Sequence, residues 1–242
     1  MCTLTYHCND QGYELLFNRD EQRSRSLALP PKLDTNLGAI YPIDAQANGT
    51  WLAVSQSGLS LAILNYYQAD KALLNADNSG LRQNHFISRG ELILGLLRDP
   101  QSSIPAILRQ DLSCYRPFVL VHFPAHLTAR KGQVSVLAWD GFELKNSPPV
   151  LPITSSSVDI EKVVASRIER YQNLVRDNDF HVNHLKRFHF SKQSEGHRSV
   201  NMSRKDACTV SISHISVKAD TIGFNYFDNI NKTNYCVTSK RT

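Results

Sequence analysis

Alternating apolar and polar residues predict strands at both ends of the chain. A polar turn centred between Asp10 and Gln11 separates the first two strands. With that register, Cys2 lies directly opposite Arg19, and the two side chains share one face of the hairpin. The predicted terminal strands are 2–7, 13–18, 208–217 and 221–227.

The interior of the sequence combines a second hairpin with helices. Residues 59–64 are apolar enough to be covered on both sides, and they follow strand 51–55 across a Gln-Ser-Gly turn. Ser88-Arg89-Gly90-Glu91 fits a capping box and predicts a helix that continues through residue 97. Further helices are predicted at 104–112 and 158–175, and further strands at 118–123, 133–139 and 142–145.

The order of these elements indicates the fold class. Strands at both ends with helices between them favour an α+β fold, a layered domain whose sheets are mostly antiparallel. Residues 180–198 are rich in His, Lys and Arg with little periodicity, and we interpret them as a surface excursion. Because no Pro/Gly-rich linker divides the sequence, we expect a single domain over residues 1–242.

Composition narrows the class of protein. Of the 242 residues, 41% are hydrophobic, and 27 Lys and Arg against 22 Asp and Glu give a net charge of +5. The basic residues are scattered, without the basic and aromatic run of a nucleic-acid surface, so no nucleic-acid partner is expected. Residues 1–20 lack the apolar region of a signal peptide, and no run approaches the ~20 residues that span a bilayer. We expect a soluble cytoplasmic protein.

Cys2 is the most unusual of the five cysteines, which form no metal-binding pattern. If the initiator methionine is removed, the thiol and a free α-amine belong to one residue. An α-amine with a pKa of about 7.7–8.0 is partly neutral and accepts the thiol proton, which activates the sulfur as a nucleophile. Arg19 across the hairpin would favour the thiolate, and Asp20 or Glu21 would hold the amine.

Other polar residues add to this chemistry. Asn65 follows the buried strand of the second hairpin, and its amide is of the type that stabilises an oxyanion in acyl transfer. Tyr66 and Tyr67 beside it are candidates to line a substrate pocket, with ordinary packing as the alternative. The histidines between positions 181 and 197 are interpreted as part of a polar loop, so no metal site is predicted.

Together these residues resemble the NRDE family, which takes its name from a tetrapeptide and includes the transport and Golgi organisation protein 2 proteins. The tetrapeptide is specific at this distance from Met-Cys, and the resemblance touches most of the chain. The segments that carry it are Met1-Cys2, Asn18-Arg19-Asp20-Glu21, Gly49-Thr50-Trp51-Leu52, Leu64-Asn65-Tyr66, Arg89-Gly90-Glu91-Leu92 and residues 202–211.

The NRDE family is grouped with the N-terminal nucleophile hydrolases, and the resemblance implies a four-layer αββα sandwich. The related choloylglycine hydrolases and penicillin V acylases use an N-terminal cysteine, an arginine, an aspartate and an oxyanion asparagine. The resemblance assigns these roles to Cys2, Arg19, Asp20 and Asn65, with Glu21 as an alternative acid. It implies cleavage of a non-peptide C–N amide bond in a small-molecule substrate, without a cofactor.

The sequence departs from those enzymes in two places. Where they have a second asparagine, residues 153–157 contain serines, and Asn146 lies nearby in an unsuitable context. Arg204 is the best candidate for their second, substrate-contacting arginine, and Arg167 is the alternative. The family has also been linked to haem and lipid handling, so the resemblance admits a non-catalytic carrier with Cys2 as a soft ligand for haem iron. A pseudoenzyme that keeps only the fold is the third hypothesis.

Overall fold

The computed structural model describes residues 1–76, 86–99, 104–175, 181–192 and 196–242. Its strands, in chain order, are β1 (Cys2–Asn9), β2 (Gly12–Gln22), β3 (Leu29–Asp34), β4 (Ala39–Ile43), β5 (Leu52–Ser55), β6 (Ser60–Asn65), β7 (Phe118–Phe123), β8 (Ser135–Trp139), β9 (Leu144–Ser147), β10 (Ile153–Ser155), β11 (Ala207–Val217), β12 (Thr221–Asp228) and β13 (Thr233–Lys240). Its helices are α1 (Tyr67–Ala76), α2 (Arg89–Arg98), α3 (Ile104–Leu108), α4 (Ile160–Val175) and α5 (Val182–His189), with a 3-10 turn at Gly196–Arg198.

The strands form two antiparallel sheets. The first sheet has the spatial order β10-β1-β2-β11-β12-β13, and the second has the order β3-β4-β5-β6-β7-β8-β9. Helices α4 and α5 cover the outer face of the first sheet, and α2 covers the outer face of the second. This is the four-layer αββα sandwich that the resemblance implied, and the α+β prediction is confirmed.

One continuous apolar cluster joins the two sheets. Leu4, Leu15 and Phe17 of the first hairpin are fully buried and pack with residues of the second sheet. Tyr13 stacks on Phe123 of the second sheet with ring centroids 5.3 Å apart. Every second residue of β1 and β2 faces this cluster, which is why the alternation of the sequence predicts these strands.

The predicted register of the N-terminal hairpin is confirmed. Asn9 pairs with Gly12, and Cys2 pairs with Arg19. Gly12 has a φ of +150°, and a Cβ there would lie 2.0 Å from the carbonyl oxygen of Val217, so the turn requires glycine. The β5–β6 hairpin is also confirmed, and β6 is buried over all but its last residue.

The interpretation of residues 180–198 as a surface excursion is wrong. Helix α5 lies in this segment, and Leu185, Phe188 and His189 are fully buried against the first sheet. Their i, i+3 and i+4 spacing is that of one helix face, which the many polar residues obscured. Positions 180 and 193–195 lie outside the described residues.

Helix α4 differs from the predicted stripe. It begins at Ile160, Val158 before it is 38% exposed, and its buried residues are Val163 and Arg167. A charged side chain therefore occupies the centre of the face that packs on the sheet. Helix α3 is also shorter than predicted, since it ends at Leu108.

The helices within the described ranges are all too short or too polar to cross a membrane.

Candidate active site

A cleft of about 550 Å³ lies beside the start of β1. Cys2 lines it, with Arg19 as its partner on β2 and Ser155 as its partner on β10. Asn65, the last residue of β6 in the second sheet, lines the same cleft. The structure thus brings Cys2, Arg19 and Asn65 together, although they come from different sheets.

The segments that carry the sequence resemblance meet at this cleft. A Cβ on Gly49 would lie 2.6 Å from the carbonyl carbon of Gly90, and a Cβ on Gly90 would lie 2.7 Å from the backbone nitrogen of Thr50. The Thr50 N–H donates to the Gly90 carbonyl oxygen at 3.2 Å. Two glycines therefore let the start of α2 lie directly on the 49–51 backbone, and Ser88 caps this helix by accepting the Gly90 N–H.

Arg19 is held from three directions. Its guanidinium lies 2.7 Å from Asp44, 3.3 Å from Glu21 and 4.3 Å from the ring centre of Trp51. Asp44 also pairs with Arg25 at 3.0 Å. Burial acts to raise the pKa of Asp44, but the charges of Arg19 and Arg25 outweigh it and lower the pKa overall, so this carboxylate stays ionised.

Asn65 is oriented by a tyrosine two residues later. Its side-chain amide donates to the Tyr67 hydroxyl at 3.0 Å, and the α-amine of Met1 donates to the same hydroxyl at 3.1 Å. Tyr67 lines the cleft, whereas Tyr66, the other tyrosine considered from the sequence, is not among its described lining residues. The contact of Tyr66 with a substrate stays a prediction.

Met1 is buried next to the start of β1. It is only 6% exposed, and its side chain packs with Val163, Met202 and Ala207. Its carbonyl oxygen accepts the Asp20 N–H at 2.9 Å, and its α-amine donates to the Asp20 carbonyl oxygen at 3.2 Å. Met1 thus extends the β1–β2 ladder by one residue.

Arg204 is not among the described residues that line the cleft. It forms an ion pair with Asp206 at 2.7 Å, and its guanidinium lies 3.7 Å from the sulfur of Met1. The contact of Arg204 with a substrate stays a prediction. Asn146 is exposed on β9 and also does not reach the cleft.

The carboxylate of Asp20 points to the other side of the sheet from Cys2. It accepts a hydrogen bond from Thr209 and lies 3.6 Å from Arg167, and both charged side chains are fully buried. Burial raises the pKa of Asp20 and lowers the pKa of Arg167, while each charge opposes the shift of the other. Asp20 therefore reaches the terminal amine through its backbone carbonyl, and Glu21 is bound to Arg19.

Burial raises the pKa of the Cys2 thiol to about 11, against the lowering effects of the Met1 amine and Arg19. The sulfur of the chain that retains Met1 is therefore a protonated thiol at neutral pH. The physical reason is that removal from water outweighs both nearby positive charges. The sequence expectation, in which Arg19 and the amine of Cys2 itself favour the thiolate, concerns the chain without Met1 and stays a prediction.

A buried polar layer supports the hairpin from the helix side. Asn18 donates its amide to the carbonyl oxygens of His189 and Val200, so its Oδ1 accepts from His189 Nδ1. His189 Nε2 is then the acceptor for the Thr5 hydroxyl. Burial lowers the pKa of His189 to about 3 and keeps the ring neutral.

Across the described ranges, no group of three or more acidic, histidine or cysteine side chains could hold a metal ion.

The fold is that of the N-terminal nucleophile hydrolases. A Caenorhabditis elegans orthologue of N-acylethanolamine-hydrolysing acid amidase superposes with a TM-score of 0.56 and 12% sequence identity, over 89% of this chain and 92% of that one. A C2A mutant of the conjugated bile acid hydrolase from Clostridium perfringens superposes with a TM-score of 0.54 and 13% identity, over 100% of this chain and 97% of that one. Identities this low establish a shared fold and leave the activity open.

Sequence comparison identifies the family. The profile of the Transport and Golgi organisation 2 family matches residues 1–233, and the chain belongs to this family. No curated protein matches it in sequence. The resemblance seen in the sequence is confirmed.

Proposed function

We propose that this chain, once Met1 is removed, is a cysteine amidohydrolase or acyltransferase that cleaves a non-peptide C–N amide bond. One observation carries the proposal: segments far apart in sequence bring Cys2, Arg19 and Asn65 to one cleft of an N-terminal nucleophile hydrolase fold. The nucleophile, a cation beside it and an oxyanion donor are the groups that acyl transfer needs.

The reaction begins with the sulfur of Cys2 attacking the carbonyl carbon of the amide. The thiol proton passes to the α-amine of the same residue, either directly or through a water. As the tetrahedral intermediate collapses, the C–N bond breaks, and the α-amine returns the proton to the leaving nitrogen. Water then attacks the thioester and releases the acid, whereas an acceptor amine in place of water gives acyl transfer.

The residues around Cys2 stabilise the charges that develop in the reaction and orient the reacting groups. Arg19 lies beside the sulfur, with its own position fixed by Asp44 and Trp51. Asn65 donates one amide hydrogen to Tyr67 and keeps the second for the oxyanion. Each group is held by packed neighbours, and such preorganisation is the main source of transition-state stabilisation.

Removal of Met1 is the activating step in this proposal. With Met1 present, the nitrogen of Cys2 is a peptide nitrogen, and the α-amine belongs to Met1 and is bonded to Tyr67 and Asp20. Because Met1 is 6% exposed and inside the strand ladder, we expect its removal to precede folding. The processed chain gains a base on the nucleophilic residue itself.

Cys8 provides a matched control for a test of this mechanism. It lies on the same strand and face as Cys2, and burial raises its pKa to about 11 as well. Both forms of the chain are prepared by cleaving a removable tag before Met1 or before Cys2, and each is treated with iodoacetamide at pH 7.5. Peptide mass mapping then gives the alkylation rate at each cysteine.

The proposal expects Cys2 of the processed chain to react at least tenfold faster than Cys8, and Cys2 of the Met1 form to react no faster than Cys8. Equal alkylation rates at Cys2 and Cys8 in the processed chain would contradict the proposed mechanism. A panel of fluorogenic N-acyl amides then tests turnover. Cys2→Ala abolishes release of the amine, and Asn65→Ala lowers kcat by about 100-fold or more.

Haem ligation through Cys2 is the alternative function, and we expect it to be unfavourable in the chain that retains Met1. Thiolate is the form of cysteine that binds haem iron, so the iron must displace the thiol proton, and burial makes this step less favourable by raising the pKa of the Cys2 thiol to about 11. The described residues that line the cleft include no histidine. A haem titration followed by absorbance checks this conclusion: we expect no thiolate-type spectrum in the Met1 form, and the same result in Cys2→Ala.

A further inference from the structure

Two guanidinium groups at the cleft share a single carboxylate. Arg89 lies 3.2 Å from Asp70, and Arg116 lies 2.8 Å from the other oxygen of the same side chain. Asp70 is buried, and among the described residues it is the only acidic partner of either arginine. This part of the cleft wall therefore carries one positive charge that no described carboxylate balances.

The other arginines of the cleft are balanced. Arg19 and Arg25 both pair with Asp44, and Glu21 lies within 3.6 Å of each. Two positive charges face two negative charges there. Among the arginines that line the described cleft, the unbalanced charge is consequently that of Arg89 and Arg116.

Arg116 is the more accessible member of the pair. Its side chain is 39% exposed and bonds Asp70 through Nε, whereas Arg89 is 18% exposed and also donates to the Pro117 carbonyl oxygen. A guanidinium that uses Nε for one partner retains two terminal nitrogens for a planar or tetrahedral anion. Trp51 adds a buried indole N–H to the cleft lining, with no acceptor among the described residues.

We infer that Arg116, supported by Arg89, binds an anionic group of the substrate, namely a carboxylate, sulfonate or phosphate. The inference rests on the proposed function and adds the substrate class, which is an amide that carries a negative charge away from the scissile bond. A cleft of about 550 Å³ is roughly 10 Å across, so the anion and Cys2 lie within about one Debye length at physiological salt. The positive wall thus acts on the same molecule that the sulfur attacks.

Iodoacetate and iodoacetamide test this inference, because they deliver the same alkylation chemistry with and without a negative charge. The processed protein is treated with each reagent, and the ratio of their rates at Cys2 is measured. Arg116→Gln removes one charge and leaves Asp70 paired with Arg89. Arg130→Gln is the matched control, since Arg130 is 84% exposed, pairs with Asp10 at the far end of the first hairpin and does not line the cleft.

The expected result is a selective effect on the charged reagent. Arg116→Gln lowers the iodoacetate rate roughly fivefold and leaves the iodoacetamide rate unchanged, as one positive charge at this distance requires. Added salt lowers the ratio in wild type more than in Arg116→Gln. If Arg130→Gln and Arg116→Gln change the ratio equally, or neither changes it, the inference is overturned.

A second measurement keeps the inference testable if Cys2 fails to react with either reagent, an outcome that would count against the proposed function alone. Calorimetric titrations with inorganic phosphate and with acetate measure anion binding without any reaction at sulfur. Binding that survives in Arg130→Gln and is lost in Arg116→Gln supports the anion site, and a preference between the two ions separates phosphate from carboxylate recognition. Equal binding in both variants, or none in wild type, overturns it.

Discussion

Gly90 and Gly95 lie in the same helix, and alanine should have opposite effects at the two positions. Gly90 lies in the first turn of α2, where an added Cβ would be 2.7 Å from the nitrogen and 2.9 Å from the oxygen of Thr50. Gly95 has no neighbouring atom within 4 Å of its Cβ position. Neither glycine has a φ in the left-handed region, so space alone distinguishes them.

The expected magnitudes follow from these distances. Ordinary contact begins near 3.4 Å, so Gly90→Ala must move the two backbones apart by roughly 0.7 Å and loosen the packing of Leu92, Ile93 and Leu96 beneath the helix. Overpacking of this kind costs about 2–3 kcal/mol. Gly95→Ala replaces the poorer helix former and should stabilise the protein by up to about 1 kcal/mol.

Urea unfolding followed by circular dichroism measures both changes. A fall in the free energy of unfolding for Gly90→Ala and a rise for Gly95→Ala would support the account. The rate of Cys2 alkylation should also change in Gly90→Ala alone, because the displaced backbone belongs to the cleft wall. If Gly90→Ala is as stable as wild type, the direct contact between the two glycine segments is not what positions α2.

Three further predictions concern buried ionisable groups. His189 has a folded-state pKa of about 3 against an ordinary value of 6.5. The stability it contributes is therefore complete above pH 6.5 and falls by about 1.4 kcal/mol per pH unit as the pH drops towards 3, a slope that His189→Gln should remove in urea titrations. Arg167→Met leaves the Asp20 carboxylate buried without its cation and should lower the free energy of unfolding by about 3–5 kcal/mol, so a loss below about 1 kcal/mol would contradict the pairing. In the chain that retains Met1, the alkylation rate of Cys2 should rise about tenfold per pH unit up to about pH 11, and a plateau below pH 9 would show that the thiol is not desolvated.

Local rules predicted the elements in which every second residue is apolar. The β1–β2 register follows from a two-residue turn and strict alternation, and it places Cys2 opposite Arg19 without any tertiary information. The first turn of α2 was predicted from Ser88, whose side chain caps it. These features depend on interactions between residues close in sequence, or across a single turn.

Elements at sheet edges, and polar elements, escaped prediction. Strand β13 is an edge strand with mostly exposed residues, and β10 is only three residues long, so neither carries an apolar alternation. Helix α5 was missed because most of its residues are polar, although Leu185, Phe188 and His189 have helical spacing. Asp44 has no local signal, since it becomes a partner of Arg19 only when the two sheets meet.

The sequence alone determined which residues of the N-terminal hairpin face each other, since backbone pairing and side-chain alternation are local. Only the tertiary structure decided what surrounds them. Packing of α4 on the first sheet brought Arg167 to the Asp20 carboxylate, and burial raised the pKa of the Cys2 thiol. The contact between Tyr67 and the amine of Met1 joins residues 66 positions apart. Desolvation and long-range contacts of this kind arise only when the layers assemble, so no local sequence pattern predicts them.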